Sequence, residues 1–450
     1  MAKSTPSGKN GLSQKLAEIV GSENVFTGEQ DTASYRVDGL TPAAVIFATT
    51  TEQIAQIVKA GNEFQASIIP WGGGSKQQVG PCLSTAEVVL CLKNMNKVIE
   101  LDVSNFTAQV EAGLTNQELQ KQLGGHKLFF PLDPPYLETA TVGGTLATNA
   151  SGPLRASYGT ARDLVLGITA VTPAGDIIHT GGKTMKNVAG IDLCKLYIGS
   201  WGTLGIITEA VLRIFPLPET SKSFHLTFPG IENAFPVVSS LLNSTLWPSS
   251  VELVDSVAGR NLNSAPAEDE VLLLIDNDGS LESVERHQKE IRALAEANKV
   301  RSVITLEDKE MIQARHAYLK MHQTILGATP SIIQGKASVP ISKLGDMFKA
   351  AREIGRKHGV ETGLRAHGYN GTLYLYVISA NGTDTNIIGD LQRSAASLGG
   401  FFVVENAPLA TRKNADLWPH RNDYNLMKRL KTEFDPNNVL NPGRAAGGLY

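Results

Sequence analysis

Cysteine is scarce in this chain of 450 residues: Cys82, Cys91 and Cys194 stand too far apart for a disulfide framework or a Cys-x-x-Cys metal site. They are expected to be buried thiols in a reducing compartment, and the chain cannot ligate an iron–sulfur cluster with its own cysteines. Long apolar runs are missing too, since none approaches the roughly 18 residues that a membrane span needs. The N-terminus, MAKSTPSGKN, has no apolar core, so no secretory signal is expected. A cytoplasmic location follows, with any membrane association at most peripheral, on the inner face of the cell membrane. Charge imbalance is small, a net −3, which gives no reason to expect nucleic acid as a partner. Internal repeats and low-complexity segments are likewise absent. What remains, 42% hydrophobic and 19% charged, is the composition of an ordinary globular protein, long enough for roughly two or three domains.

The most unusual stretch is residues 131–163, PLDPPYLETATVGGTLATNASGPLRASYGTARD. It is rich in small residues and carries almost no charge until its end. Gly143, Gly144, Ala147, Gly152 and Gly159 would let backbone come close to something flat or bulky. Pro131, Pro134 and Pro135 fix the approach to it in extended geometry. Two readings stand open at this point. One is a backbone wrapped around a large ligand, with N–H groups as the polar contacts; the other is a small-residue helix packed tightly on a sheet.

Around that stretch the chain divides in three. After a polar lead (1–37), a β-α-β pattern begins with a strand at 43–49, a capping box of Thr49 with Glu52, and a helix face marked by Ile54, Ile57 and Val58. A strand at 66–71 runs into Gly72-Gly73-Gly74-Ser75-Lys76. Further strands are expected at 88–92, 98–103 and 107–113, with a hairpin at Pro173-Ala174-Gly175. The breaker PLPE (216–219) marks a boundary. Beyond it, strands such as 271–276 and 372–379 alternate with amphipathic helices at 281–297 and 342–358. The expected fold class is α+β, the second domain being an antiparallel sheet with helices on one face. The tail forms a helix stopped at Asp435-Pro436, then an extended segment.

Taken singly, the motifs are weak. Gly72–Gly74 after a strand could form an anion nest, but Gln77 breaks the dinucleotide fingerprint, and a flexible turn explains the run equally well. Gly182-Lys183-Thr184 imitates the end of a P-loop, yet its first glycine would fall at Ile177. His316 and His322, six apart, do not share a helix face and are not read as metal ligands. The charges from Glu282 to Arg292 read as a solvated helix face.

In order, WGGGSKQQVG (71–80), the stretch 131–163, GGKTMKNVAGIDL (181–193), GSWGTLGIITEAVLRIFPLP (199–218) and FDPNNVLNPGR (434–444) resemble the flavin-dependent oxidases of the vanillyl-alcohol oxidase type. Within that family they look most like the FAD-binding subunit of bacterial glycolate oxidase. The resemblance covers nearly the whole chain from about residue 38 and is weakest over 220–400. It implies a two-part FAD-binding domain of the PCMH type (38–218), a cap or substrate domain (219–404) and a C-terminal segment returning to the FAD domain (405–450).

By this resemblance Trp71, Gly72, Gly73, Gly74, Ser75 and Lys76 cradle the FAD diphosphate. Pro131, Asp133, Thr141, Gly143, Gly144, Ala147, Thr148, Asn149, Gly152, Gly159 and Asn441 line the dinucleotide, and Ile207 and Glu209 close over the adenosine side. The glycines would be there because side chains would occupy the cofactor's volume. No histidine lies in 71–80, so FAD is expected to be non-covalent.

On the substrate side, related D-2-hydroxy-acid dehydrogenases carry a metal-binding His-x6-His segment and a later Glu-His pair. Here AHGYNGTLY keeps His367 but has Tyr374 in place of the second histidine, and the pair reads Glu405-Asn406, whose amide is no base. No metal site is expected. The resemblance therefore implies a subunit of a glycolate oxidase-like complex that oxidises a small 2-hydroxy acid. Electrons would pass to a homologous flavin subunit or an iron–sulfur subunit. Two alternatives stand beside it. One is a self-sufficient FAD-dependent 2-hydroxy-acid or alcohol dehydrogenase using Arg365, His367, Tyr374 and Glu405. The other is a non-catalytic flavin-binding assembly subunit.

Overall fold

The computed structural model describes residues 6–184, 190–328, 331–379, 385–419 and 421–444. Residues 185–189, inside the segment 181–193 that carried part of the resemblance, lie outside the described residues. The chain forms two compact units: Met1–Ser151, Thr160–Pro216 and His420–Tyr450 make the first, Gly152–Gly159 and Leu217–Pro419 the second. These limits differ from the sequence-derived boundaries by two residues at Leu217 and by longer segments in two places. Residues 405–419 fall in the second unit, where Val404 N–H donates to the Leu417 carbonyl (2.8 Å) and Leu417 joins the core. Gly152–Gly159 also fall there, Ser157 Oγ donating to the Pro248 carbonyl (2.7 Å).

The first unit opens with helix α1 (Pro6–Val20), strand β1 (Ala44–Phe47), helix α2 (Thr51–Phe64) and strands β2 (Ile68–Trp71) and β3 (Val88–Cys91). β1 and β2 both pair in parallel with β3, which α2 makes possible by carrying the chain from one side to the other. The cap of α2 sits one residue later than the sequence implied: Thr50 Oγ1 accepts from Gln53 N–H (3.2 Å), and Thr49 N–H donates to Gln53 Oε1 (2.8 Å). Its apolar face, Ile54, Ile57 and Val58, is fully buried.

A second, antiparallel sheet contains β4 (Val98–Asp102), β5 (Thr107–Glu111), β6 (Val165–Val171), β7 (Ile177–Gly181) and β8 (Ile206–Arg213), in the order β4-β5-β8-β6-β7. Gly175, at φ +82°, turns the β6–β7 hairpin. Between β5 and β6 lie α3 (Asn116–Gly124), capped by Thr115, and the short α4 (Val142–Ala147), capped by Thr141. A C-terminal helix, Tyr424–Phe434, belongs to this unit as well. Lys183, in the P-loop look-alike, is paired with Glu100 (2.5 Å).

The second unit is one eight-stranded antiparallel sheet with five long helices. In chain order it runs β9 (Thr220–Phe228), α5 (Ile231–Leu242), β10 (Ser250–Asp255), β11 (Val271–Gly279), α6 (Leu281–Ala297), β12 (Ser302–Glu307), α7 (Asp308–Ala328), β13 (Ile333–Ser338), α8 (Leu344–Lys357), β14 (Glu361–His367), β15 (Thr372–Ile378), α9 (Asn386–Ser397) and β16 (Phe401–Asn406). The strand order is β12-β9-β11-β10-β14-β15-β13-β16.

Strand alternation sorts the side chains between two cores. Leu253, Leu273, Leu364 and Leu375 face α5, α6, α8 and α9, which contribute Val238, Ile291, Phe348 and Leu391. Val254, Leu272 and Leu274 face the other way, against Tyr318, Met321 and Ile325 of α7. Helices on one face are therefore the rule with one addition, α7 on the opposite face. Covering both faces explains why β11 reads as an unbroken apolar run. Among the described residues, no helix is long and apolar enough to cross a membrane.

Candidate functional site

In the first unit a cleft forms where β2 ends. Trp71 closes the strand, and Gly72, Gly73, Gly74, Ser75 and Lys76 line the cleft together with Thr141, Gly143, Gly144, Ala147 and Thr148 of α4 and its caps. Ile207 of β8 and Asn441 of the tail also line it. Counted out to its mouth, and so including open solvent, the cleft encloses about 890 Å³ of space free of protein atoms.

At Gly73 and Gly143 the protein itself gives a reason for glycine. A Cβ on Gly73 would overlap the Thr139 carbonyl, and one on Gly143 would lie 2.6 Å from Ala112 Cβ. Neither position has room for a side chain, because Thr139 and Ala112 pack directly on them. Gly144 is the exception: an added Cβ would meet only its own cap, Thr141 Oγ1 at 3.2 Å, and Gly144 borders the cleft.

The polar groups are divided as well. At α4 the backbone donors are already used, Val142 N–H by the Leu114 carbonyl, Gly143 N–H by that of Ala112 and Gly144 N–H by Thr141 Oγ1. By contrast, the N–H groups of Gly73, Gly74 and Ser75 have no acceptor among the described residues. Asn441 Nδ2 donates to the Trp201 carbonyl (2.7 Å), while its Oδ1 is buried without a partner. Trp201 and Asn441 both have positive φ, +58° and +44°, a conformation uncommon outside glycine.

Six of the sequence-derived cofactor residues lie elsewhere. Pro131, Asp133, Asn149 and Glu209 do not line the cleft; Asn149 adjoins Gly199, and Glu209 accepts from Gln109 across β5 and β8 (2.9 Å). Gly152 and Gly159 belong to the second unit. Sequence reasoning missed Trp201, Gly202 and Arg444, which do line the cleft. Arg444 is held by the carbonyls of Gln77 (2.6 Å), Val79 (3.0 Å) and Pro81 (2.7 Å) and by Asp38 (3.1 Å).

The second unit holds a cluster of polar side chains on the α7 side of its sheet. Register places His367 opposite Glu252 of β10, and Arg365 opposite Tyr374 of β15. His367 Nδ1 lies 2.6 Å from Glu252 Oε1, and the hydroxyl of Tyr318, from α7, donates to Glu252 Oε2. The Arg365 guanidinium lies against two aromatic rings, 4.9 Å from the Tyr318 centroid and 4.8 Å from that of Tyr374. Tyr374 also stands edge-on to His367, 5.6 Å between centroids.

A carboxylate only accepts hydrogen bonds, so Nδ1 of His367 carries the proton and Nε2 keeps its lone pair. That Nε2 is buried with no partner, and so is Nε of Arg365. Burial pushes the His367 imidazole below its ordinary value; Glu252 opposes this, while Arg365 and Arg155 add to it. The ring is therefore neutral near pH 7. Burial, with Glu252 beside it, pushes the Tyr318 hydroxyl well up, which keeps it a donor.

Glu405 and Asn406 stand apart from this cluster on β16, with β13 and β15 between them and β14. The Glu405 carboxylate is already held by Lys336 (3.0 Å) and Gln334 (2.9 Å), and its charge raises the Lys336 ammonium above its usual value. Asn406 pairs with Gln334 across a bulge. His322 binds the Tyr376 hydroxyl (3.0 Å). No group of three His, Cys, Asp or Glu among the described residues is placed to hold a metal ion. Glu252 and Tyr318 escaped sequence reasoning. The available signal for Glu252 was an acidic residue in the middle of the otherwise apolar run VELV of the buried strand SVELVD.

The FAD binding domain family matches residues 42–181, and the family of the C-terminal domain of FAD linked oxidases matches 217–405 and 410–445. Glycolate oxidase subunit GlcD of Bacillus subtilis (strain 168) is 31% identical over 96% of both chains. D-lactate dehydrogenase of Archaeoglobus fulgidus is 30% identical over 90% of this chain and 91% of its own. Among solved structures, 4-ethylphenol oxidase from Gulosibacter chungangensis superimposes with a TM-score of 0.77 at 18% identity, covering 98% of this chain and 97% of its own. Alkyldihydroxyacetonephosphate synthase does so with 0.75 at 20%, covering 96% and 84%. At these identities the structural likeness speaks for the fold alone. The two family matches, with a relative above 30% identity along nearly the full length, place the chain among the FAD-linked oxidases, as an FAD-dependent oxidoreductase.

Proposed function

We propose that this protein oxidises a small 2-hydroxy acid to the 2-oxo acid, using FAD held non-covalently in the cleft of the first unit. The unpaired N–H groups of Gly73, Gly74 and Ser75 suit a diphosphate, and Gly144 leaves room beside it. Asn441, with a free buried Oδ1, supplies an acceptor. No histidine, cysteine or tyrosine lines the cleft among the described residues, which agrees with a flavin that is not covalently attached. When bound, FAD supplies the hydride acceptor.

The observation that carries the substrate assignment is His367, fixed through Nδ1 by Glu252 and left with a free, buried Nε2. Arg365 pairs with the substrate carboxylate. Tyr318 and Tyr374 hold its guanidinium against their rings, and its buried Nε has no partner in the protein, which leaves a donor for an anion. His367 Nε2 takes the hydroxyl proton as the carbinol carbon is oxidised, and bound FAD would supply the acceptor for the hydride and its electron pair. Relatives named glycolate oxidase subunit and D-lactate dehydrogenase support this substrate class. In the glycolate oxidase-like reading, electrons then pass to a partner: a homologous flavin subunit or an iron–sulfur subunit. That reading rests on the likeness to GlcD and on the absence of clustered cysteines.

The test is anaerobic addition of glycolate or D-lactate to the purified yellow chain. Bleaching of the visible flavin band in the wild type, and its loss in His367→Asn, is the expected result. A wild type that stays yellow with every 2-hydroxy acid would overturn a substrate site in this chain.

A further inference from the structure

We infer that Glu252 and Tyr318 are positioning residues that set which nitrogen of His367 is basic and how strongly it holds a proton. The inference rests on the reading of His367 as the base. Its own foundation is a string of three buried side chains on three elements: Tyr318 of α7, Glu252 of β10 and His367 of β14. Glu252 and His367 are each 2% exposed and Tyr318 4%, so no water competes for their bonds. Both oxygens of the Glu252 carboxylate are engaged, Oε1 by the imidazole and Oε2 by the phenol. Tyr318 reaches further, because its ring also lies under Arg365, at 4.9 Å. One side chain of α7 thus touches both the group that orients the base and the cation assigned to the carboxylate.

The remaining groups around His367 are accounted for. Arg365 shares its strand and face, Tyr374 meets it edge-on from β15, and Arg155, on the short helix Arg155–Tyr158, acts on it electrostatically. The cations oppose protonation of His367, and Glu252 is the group that favours it. When the imidazole takes the hydroxyl proton it becomes a cation beside the Glu252 carboxylate, so the pair gains attraction as the reaction proceeds. The Tyr318 hydrogen bond disperses part of the carboxylate's charge and moderates that gain.

Opposite shifts therefore follow from two near-isosteric changes. In Glu252→Gln the amide can donate to Nδ1 and favour the tautomer with a proton on Nε2. A fall in kcat/KM of roughly 10²–10⁴-fold is expected, as for loss of a general base, with the acidic limb of the pH profile moved to lower pH. In Tyr318→Phe the ring under Arg365 stays but the donor is lost. The Glu252 charge is then undivided, and the acidic limb moves to higher pH while KM changes little.

Both variants are measured as holoenzymes, with flavin content and melting temperature as controls for folding. Limbs moving in opposite directions support the inference, since a merely structural role moves neither. Unchanged profiles in both folded variants, while His367→Asn is inactive, would overturn it and leave His367 as the base. An active His367→Asn would instead overturn the reading beneath it. Should Glu252→Gln fail to fold, Tyr318→Phe decides alone through the direction of its shift.

Discussion

Replacing Arg444 with Met should unlock the wall of the cofactor cleft and destabilise the first unit. The Arg444 side chain is 3% exposed and that of Asp38 1%, and the guanidinium also donates to the carbonyls of Gln77, Val79 and Pro81. Methionine matches the apolar stem but leaves a buried carboxylate and three carbonyls without that donor. Breaking a buried pair on one side costs about 3–5 kcal/mol. For a unit of this size each kcal/mol lowers the melting temperature by roughly 2–4 °C, which gives a drop of roughly 6–20 °C. Flavin fluorescence, which rises when FAD is released, would report both the melting and the weakened retention. The companion variant is Asp38→Asn with Arg444→Met, in which the stranded charge is gone while the amide can still accept from Leu83 N–H (2.9 Å in the parent). The double variant should recover part of the loss. A single variant that melts within about 2 °C of the wild type, or a double variant no better than the single, would refute the reasoning.

Two glycines that look alike in sequence should fail differently. Gly144→Val should leave the apoprotein folded and colourless, read by circular dichroism and flavin absorbance, because its side chain would enter the cleft. Gly73→Val should prevent folding of the unit with or without FAD, since its Cβ overlaps the Thr139 carbonyl; soluble expression checks this. Asp255 gives a pH signature. Burial pushes its carboxyl up from 3.8 to about 6, so between those values the folded state keeps a proton that the unfolded chain has lost. Its contribution to stability therefore falls as pH rises through that window, by roughly 3 kcal/mol in all. Asp255→Asn should remove that slope in urea unfolding at pH 4 and pH 7; equal slopes in parent and variant would count against it.

Local patterns in the chain were readable because they depend on near neighbours. The helix at 281–297 coincides with α6, and the hairpin at Gly175 and the strands of the first sheet follow from alternation and turn chemistry. The Thr49–Glu52 box was misplaced by one residue because both threonines suit a cap and only the backbone decides between them. Contacts between distant segments were not readable. Glu252 lies 115 residues from His367 and 66 from Tyr318; sheet register brings it to the first, and packing of α7 on the sheet brings it to the second. Glu405 looked free for chemistry because nothing local shows that Lys336 and Gln334 hold it. The glycines signalled close approach correctly, but whether of ligand or of backbone depended on the fold.

The eight residues Gly152–Gly159 group with the second unit although the chain on either side of them belongs to the first. The polypeptide therefore passes between the units four times, at residues 151/152, 159/160, 216/217 and 419/420. Neither unit is a single stretch of chain, so no one protease cut can liberate one of them. A chimera that exchanges residues 217–419 alone would graft a foreign cap onto a native octapeptide, leaving Ser157 to find a substitute for the Pro248 carbonyl. Cap exchange in this fold is a two-segment operation, and variation that retunes the cap has to be matched in a loop lying more than fifty positions upstream of Leu217 in the linear code.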